Sequence, residues 1–185
     1  MDSGKKKENT NKKTAIETAY AYLASRMRTS EEVRKHLESR EYPEPEITEA
    51  INELIGMRYL DDYLFALRYY EYNREKKRGV LRAERELLEK GVDKETARNA
   101  KEDFLYEQKV DEFEDALEIA RKEVFTAPPG TFGDASGGDT VIAKPYDDKL
   151  AARIARRLEG KGFSKGDIFR VLDSIRRECD EYETE

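Results

Sequence analysis

Apolar residues recur along this chain in short runs at three- and four-residue steps, the period of one helix face. Ala15, Ala19, Tyr22, Leu23 and Met27 predict a helix starting at Thr14. Thr29 and Glu32 stand in capping-box register, so Thr29-Ser30-Glu31-Glu32 opens a second helix, with Val33 and Leu37 on its buried stripe. Pro43 and Pro45 fit only a first turn. Ile47, Ala50, Ile51 and Leu54 then form a third helix that ends near Gly56. At Leu60-Asp61-Asp62 a carboxylate can cap the free N–H groups of a fourth helix, whose apolar content comes from Leu64, Phe65, Leu67, Tyr69 and Tyr70. A basic turn, Arg74 to Arg78, leads to Gly79. Val80, Ala83, Leu87 and Leu88 then mark one face of a fifth helix. Gly91 sits where a left-handed cap has no Cβ to accommodate.

The same plan recurs. Leu37-x-x-Arg40-Glu41-Tyr42 aligns with Leu87-x-x-Lys90-Gly91-Val92, 50 residues on, and with Leu158-x-x-Lys161-Gly162-Phe163, a further 71 on. Ile47 and Leu54 match Ala97 and Phe104, then Ile168 and Ile175, while Pro43, Asp93 and Ser164 launch the third helix of each copy. Glu41 stands where its counterparts are glycine, so a positive φ there is expected to cost about 1 kcal/mol. The repeat predicts an all-α fold: three tandem three-helix repeats in an elongated, curved, solenoid-like array, each copy burying a face against its neighbour.

The expected organisation is a mobile basic arm at 1–13, repeat 1 at 14–57, repeat 2 at 58–107 and repeat 3 at 108–179. An acidic tail follows at 180–185. The extra length of repeat 3 lies at 126–146, which holds four of the eleven glycines and three of the five prolines and reads as a flexible loop between two helices. Val141 and Ile142 are its candidates for docking on a neighbour.

Composition narrows the function. Charged residues make up 41% and hydrophobic residues 37%, which suits thin helical layers rather than one thick core. The net charge of −6 argues against unaided gripping of nucleic acid, but the sign is uneven. Eight Lys/Arg against five Asp/Glu lie between Ala66 and Lys90, and four against ten between Asp93 and Glu118. A single cysteine, Cys179, leaves no internal disulfide, and the absence of an apolar N-terminal run points to the cytoplasm. His36 is the only histidine, so metal triads and serine or cysteine hydrolase arrangements lack their base. The pairs Asp61-Asp62 and Asp147-Asp148 stand before helical patterns and read as caps. No catalytic residue, metal or cofactor is expected.

Binding chemistry is richer. Arg68, Arg74, Lys76, Lys77, Arg78, Arg82 and Arg85 surround Tyr69, Tyr70 and Tyr72, a mixture suited to phosphates and stacking. Arg153, Arg156 and Arg157 return at the corresponding place in the third repeat, and Arg34 and Lys35 in the first. A solvated helix face, with Glu84, Glu86 and Glu89 as ion-pair partners, is the alternative for any one of these residues.

Leu60-Asp61-Asp62 with Phe65-Ala66, then Arg78-Gly79, Leu87 and Lys90-Gly91-Val92, resembles the signature of the RecX family of bacterial recombination regulators. Ala24-Ser25-Arg26 with Ser30-Glu31-Glu32-Val33 and Leu37 is similar to it as well, and the resemblance covers about residues 15–178. It implies tandem three-helix repeats lying in the groove of a RecA–DNA filament, inhibiting recombination and coprotease activity without a catalytic site. A monomer is expected, with single- or double-stranded DNA contacted within the filament and, given the net acidity, bound only weakly alone. Leu60, Asp61, Asp62, Phe65, Gly79, Leu87 and Gly91 then keep the fold, and the exposed arginines and lysines contact the filament. The 126–146 insertion departs from the family pattern. A direct nucleic-acid binder and a helical scaffold for another protein are the other classes open to this sequence.

Overall fold

The structure, a computed structural model, describes residues 13–126, 142–143 and 145–182. Most of the arm and of the insertion predicted above, Val141 included, lies outside these residues, as does the end of the acidic tail. Nine helices are described: α1 (Ala15–Leu23), α2 (Ser30–Glu38), α3 (Glu44–Gly56), α4 (Asp62–Glu75), α5 (Val80–Glu89), α6 (Lys94–Glu107), α7 (Glu112–Val124), α8 (Asp148–Lys161) and α9 (Lys165–Tyr182). Between α7 and α8 lies a two-residue antiparallel ladder, β1 (Phe125–Thr126) with β2 (Ile142–Ala143). The sequence did not predict it. Ile142, one of the docking candidates, pairs with Thr126 in this ladder, and α9 runs on into the expected tail.

Local chemistry accounts for the helix starts. Thr14 with Glu17, and Thr29 with Glu32, form complete capping boxes, each hydroxyl accepting from the N3 amide while the glutamate accepts from the cap amide. Asp61, Asp93, Asp111 and Asp147 accept first-turn amides of α4, α6, α7 and α8, and Ser164 Oγ accepts from Asp167 N at 3.0 Å. The acid pairs are therefore placed by helix geometry.

Helices pack in threes, and each triplet has its own core. The first is built on Ala19, Val33, Leu37, Ile47 and Leu54, the second on Phe65, Tyr70, Leu87, Ala97 and Phe104, and the third on Leu117, Ile154, Leu158, Val171 and Ile175. Among the described residues no buried apolar cluster spans two triplets. The expected solenoid seam, with apolar faces shared between copies, is absent for a reason legible in the helices: every apolar stripe is already consumed inside its own triplet. Leu60, which sequence spacing put at the start of the second repeat, is 2% exposed within the first core.

Three periodic residues fall outside the cores. Met27, Leu64 and Leu88 are 47%, 41% and 42% exposed. α1 ends at Leu23, which leaves Met27 in the connection to α2. On α4 and α5 the buried apolar positions are Phe65, Ala66 and Tyr70, and Val80, Ala83 and Leu87, so Leu64 and Leu88 fall on the flank.

Tyr70, expected in the stacking strip, is 1% exposed, and its hydroxyl donates to the Ala97 carbonyl at 3.0 Å. Burial pushes this phenol well above the ordinary tyrosine range. Its position ties α4 to α6. Tyr70→Phe is expected to cost about 1 kcal/mol by denaturant titration, the net worth of one buried hydrogen bond.

Candidate functional site: the joints between triplets

The triplets meet where the N-terminus of the second helix of one copy faces the C-terminus of the second helix of the next. Both ends carry orphan backbone groups, donors on one side and acceptors on the other. At the first joint Thr29 Oγ1 donates to the Lys90 carbonyl at 2.7 Å, and the Ser30 amide donates to Asp62 Oδ1 at 2.8 Å. At the second joint the Gly79 amide donates to the Lys161 carbonyl at 2.9 Å, and the Val80 amide donates to Glu112 Oε1 at 2.7 Å. The linked residues correspond under the repeat offsets, the donor of the first link being the Thr29 hydroxyl at one joint and the Gly79 amide at the other. Of each acidic pair, the first member (Asp61, Asp111) caps its own helix. The second (Asp62, Glu112) caps the helix of the preceding triplet. Burial holds the carboxyls of Asp62 and Glu112 above the usual carboxylate range, opposed by the amide that each accepts.

Glycine makes the joints close. A Cβ on Gly79 would lie 2.3 Å from the Gly162 carbonyl oxygen, and one on Gly162 would lie 2.3 Å from Arg82 Cβ. A Cβ on Gly91 would meet Glu31 Cβ and Cγ at 2.3 Å. Gly91 and Gly162 also hold φ of +84° and +89°. Glu41 has the same left-handed backbone, φ 62°, but no described triplet packs on it. A side chain is tolerated there for want of a neighbour.

The predicted binding residues separate into two groups. Several serve the second joint: Arg74 pairs with Asp115 at 3.2 Å, Lys77 with Glu118 at 2.8 Å, and Arg82 reaches the Gly160 carbonyl at 3.2 Å as well as Glu86 at 2.8 Å. Arg34 pairs with Glu44, Lys35 with Glu31 at 3.3 Å, and Arg68 with Glu71 at 2.8 Å. Arg153 and Arg157 converge on Glu123. Arg78, Arg85 and Arg156 make no ion pair among the described residues, and Arg85 and Arg156 are exposed.

Of the tyrosines in the strip only Tyr72 is well exposed, at 47%, while the Tyr69 hydroxyl donates to Glu86 at 2.7 Å and its pKa is pushed up to about 12, first by burial. Lys161 was missed as a site residue. Its ammonium donates to the Lys77 carbonyl at 3.1 Å, and its pKa is lowered by burial and by the neighbouring Arg157, Arg78 and Arg82. Its alignment with Lys90 beside a joint glycine was the available signal.

His36 stacks on Tyr22 with ring centroids 3.9 Å apart. Among the described residues no group of three or more His, Cys, Asp or Glu is placed to hold a metal ion, and no described helix is long and apolar enough to cross a membrane.

The fold and its joints define an all-α protein of tandem three-helix repeats, with basic side chains displayed on the second helices. The family model described as RecX, first three-helix domain, matches residues 15–54. The regulatory protein RecX of Halalkalibacterium halodurans is 35% identical over 108 residues, 58% of this chain and 41% of that protein. RecX of Bacillus subtilis (strain 168) is 29% identical over 170 residues, 91% of this chain and 58% of its own length. The crystal structure of RecX from Lactobacillus salivarius superposes with a TM-score of 0.65 at 26% identity, covering 90% of this chain and 94% of that one. A second RecX crystal structure, at 21% identity and a TM-score of 0.64, shares the fold. The chain belongs to the RecX family of regulatory proteins. It spans about half the length of the curated relatives it matches, or somewhat less.

Proposed function

We propose that this protein is a non-catalytic regulator that binds the RecA–DNA filament and inhibits the recombinase, ATPase and coprotease activities of RecA. Family membership supports the regulatory role. The observation that carries the binding surface is the run of cations on α5 and α8, where Arg85 and Arg156 occupy equivalent positions and are exposed. Neither has an ion-pair partner among the described residues, so each can meet a phosphate or carboxylate without breaking an internal contact. Arg74, Lys77 and Arg82 hold the second joint, and their charge reversal would disturb the fold along with the surface.

The test is RecA's single-strand-dependent ATP hydrolysis, titrated with the wild-type chain and with Arg85→Glu/Arg156→Glu. Inhibition by the wild type well below equimolar protein is expected. The variant should need at least about tenfold more protein, since each charge-assisted contact is worth roughly 1.5–3 kcal/mol. Unchanged inhibition by the variant would move the contact surface off α5 and α8. No inhibition at equimolar wild-type protein, with no binding to RecA filaments, would remove the regulator reading. Binding to naked DNA that falls steeply with salt, without RecA, would replace it with a direct nucleic-acid binder.

A further inference from the structure

The two joints share a backbone geometry but not a charge. Under the repeat offsets Arg28, Glu32, Glu86 and Lys90 at the first joint correspond to Arg78, Arg82, Arg157 and Lys161 at the second. Two cations and two carboxylates thus become four cations. At the first joint the four formal charges sum to zero, and Glu32 pairs with Lys90 at 3.6 Å. At the second, Glu123 pairs with Arg157, and Glu86, already counted at the first joint, pairs with Arg82. Among the described residues at least two of the four positive charges are therefore left over. The Lys161 ammonium has a carbonyl, not a carboxylate, as its hydrogen-bond partner. Arg82 reaches across the joint to the Gly160 carbonyl at 3.2 Å, beside the Gly79–Lys161 backbone link, and Arg157, Arg78 and Arg82 lie near enough to Lys161 to add to the lowering of its pKa by burial.

These cations come from both sides of the joint, Arg78 and Arg82 from the second triplet, Arg157 and Lys161 from the third. No buried apolar seam resists their repulsion; the backbone links and ion pairs across the joint do. A multiply charged oxyanion seated among them would neutralise the excess and bridge the triplets, with guanidinium forks matched to its oxygens. We propose that the second joint is an oxyanion-binding hinge, tightened by a phosphate-type group held between Arg78, Arg82, Arg157 and Lys161, and that the first joint is its charge-balanced, ligand-independent counterpart. The group can be a free polyphosphate or a phosphate of a nucleic-acid backbone. The proposal does not depend on the RecA reading, and its test contains no RecA.

The experiment is thermal unfolding of the full chain with inorganic pyrophosphate, and separately with a short single-stranded oligonucleotide. Chloride is adjusted to keep ionic strength constant, so that general screening does not change. The midpoint of the wild-type chain should rise with pyrophosphate. Arg82→Glu/Arg157→Glu, which restores the first joint's charge pattern, should lower the apparent affinity at least about tenfold. Should that variant fail to fold, Arg157→Gln/Lys161→Gln removes two charges more gently and should show the same direction of loss. A response to the oligonucleotide alone assigns the site to backbone phosphate; a response to both assigns it to oxyanions generally. A wild-type midpoint unmoved by either, or a variant as responsive as wild type, overturns the proposal.

Discussion

Gly162→Ala is expected to loosen the third triplet from the second and to lower stability by about 2–5 kcal/mol. Two separate costs combine. A non-glycine residue in the left-handed region loses about 1–2 kcal/mol. A new methyl pressed against main-chain and Cβ atoms of Arg82 adds about 1–3 kcal/mol of overpacking. Gly79→Ala incurs the second cost without the first, because its φ is −71°. Glu41→Gly should go the other way, gaining up to about 1 kcal/mol, since only backbone strain is relieved there. Denaturant titration of the three variants gives the order, and amide exchange across α8 and α9 tells joint opening from global unfolding. Equal effects at positions 41 and 162 would show that steric closeness at the joint is not the deciding factor.

Glu112→Ala should cost about 1–2 kcal/mol, the usual loss when a helix cap is removed, and should release α7 from the start of α5. Glu112→Gln keeps an oxygen for the Val80 amide and sheds a charge that is costly to bury, so it should be close to neutral. The acidity of these groups adds a pH signature. Asp62 and Glu112 have folded-state pKa values raised above the ordinary carboxylate range. Below the raised value the folded chain holds more protons than the unfolded one, so these two groups add stability as pH falls toward the ordinary range of about 4. Glu118 works in the opposite sense. Its hydrogen bonds from Lys122 and Lys77 hold its pKa down to about 2, so the stability it contributes fades as pH falls from about 4 toward that value. On mild acidification wild type should therefore gain stability relative to Glu112→Gln. A wild type that instead loses stability relative to the variant would place the folded-state pKa of Glu112 below the ordinary range.

The helical plan was legible because each signal is local: a capping threonine with its glutamate three residues on, a glycine after an apolar stripe, a proline that only a first turn tolerates. The positive φ of Glu41 could be read for the same reason, from its alignment with two glycines. What the sequence did not show is where each copy's surface goes. Asp61 and Asp62 are adjacent acids before a helix, yet one serves its own helix and the other the preceding triplet. Arg82 and Arg85 are one turn apart on one helix. The first is engaged with Glu86 and the Gly160 carbonyl, the second is exposed, and only tertiary geometry separates them. Tyr70 and Tyr72 were indistinguishable as strip aromatics until the packing of α4 on α6 buried one of them. Repeat spacing predicted a shared apolar seam; the joints are instead made by termini, charges and close main-chain approach.

The ladder between Phe125–Thr126 and Ile142–Ala143 brings the exit of α7 next to the approach to α8. With the two strands held together, the path from α7 to α8 is set at the clasp, whatever length of chain the clasp encloses. Loop closure grows more costly only slowly with length, about 0.6 kcal/mol per doubling. The third triplet can therefore carry an extra stretch that its siblings lack without shifting Gly162 or Glu112 from their places. The same clasp marks the position at which a reporter or affinity tag could be spliced into the chain while leaving both joints as they are.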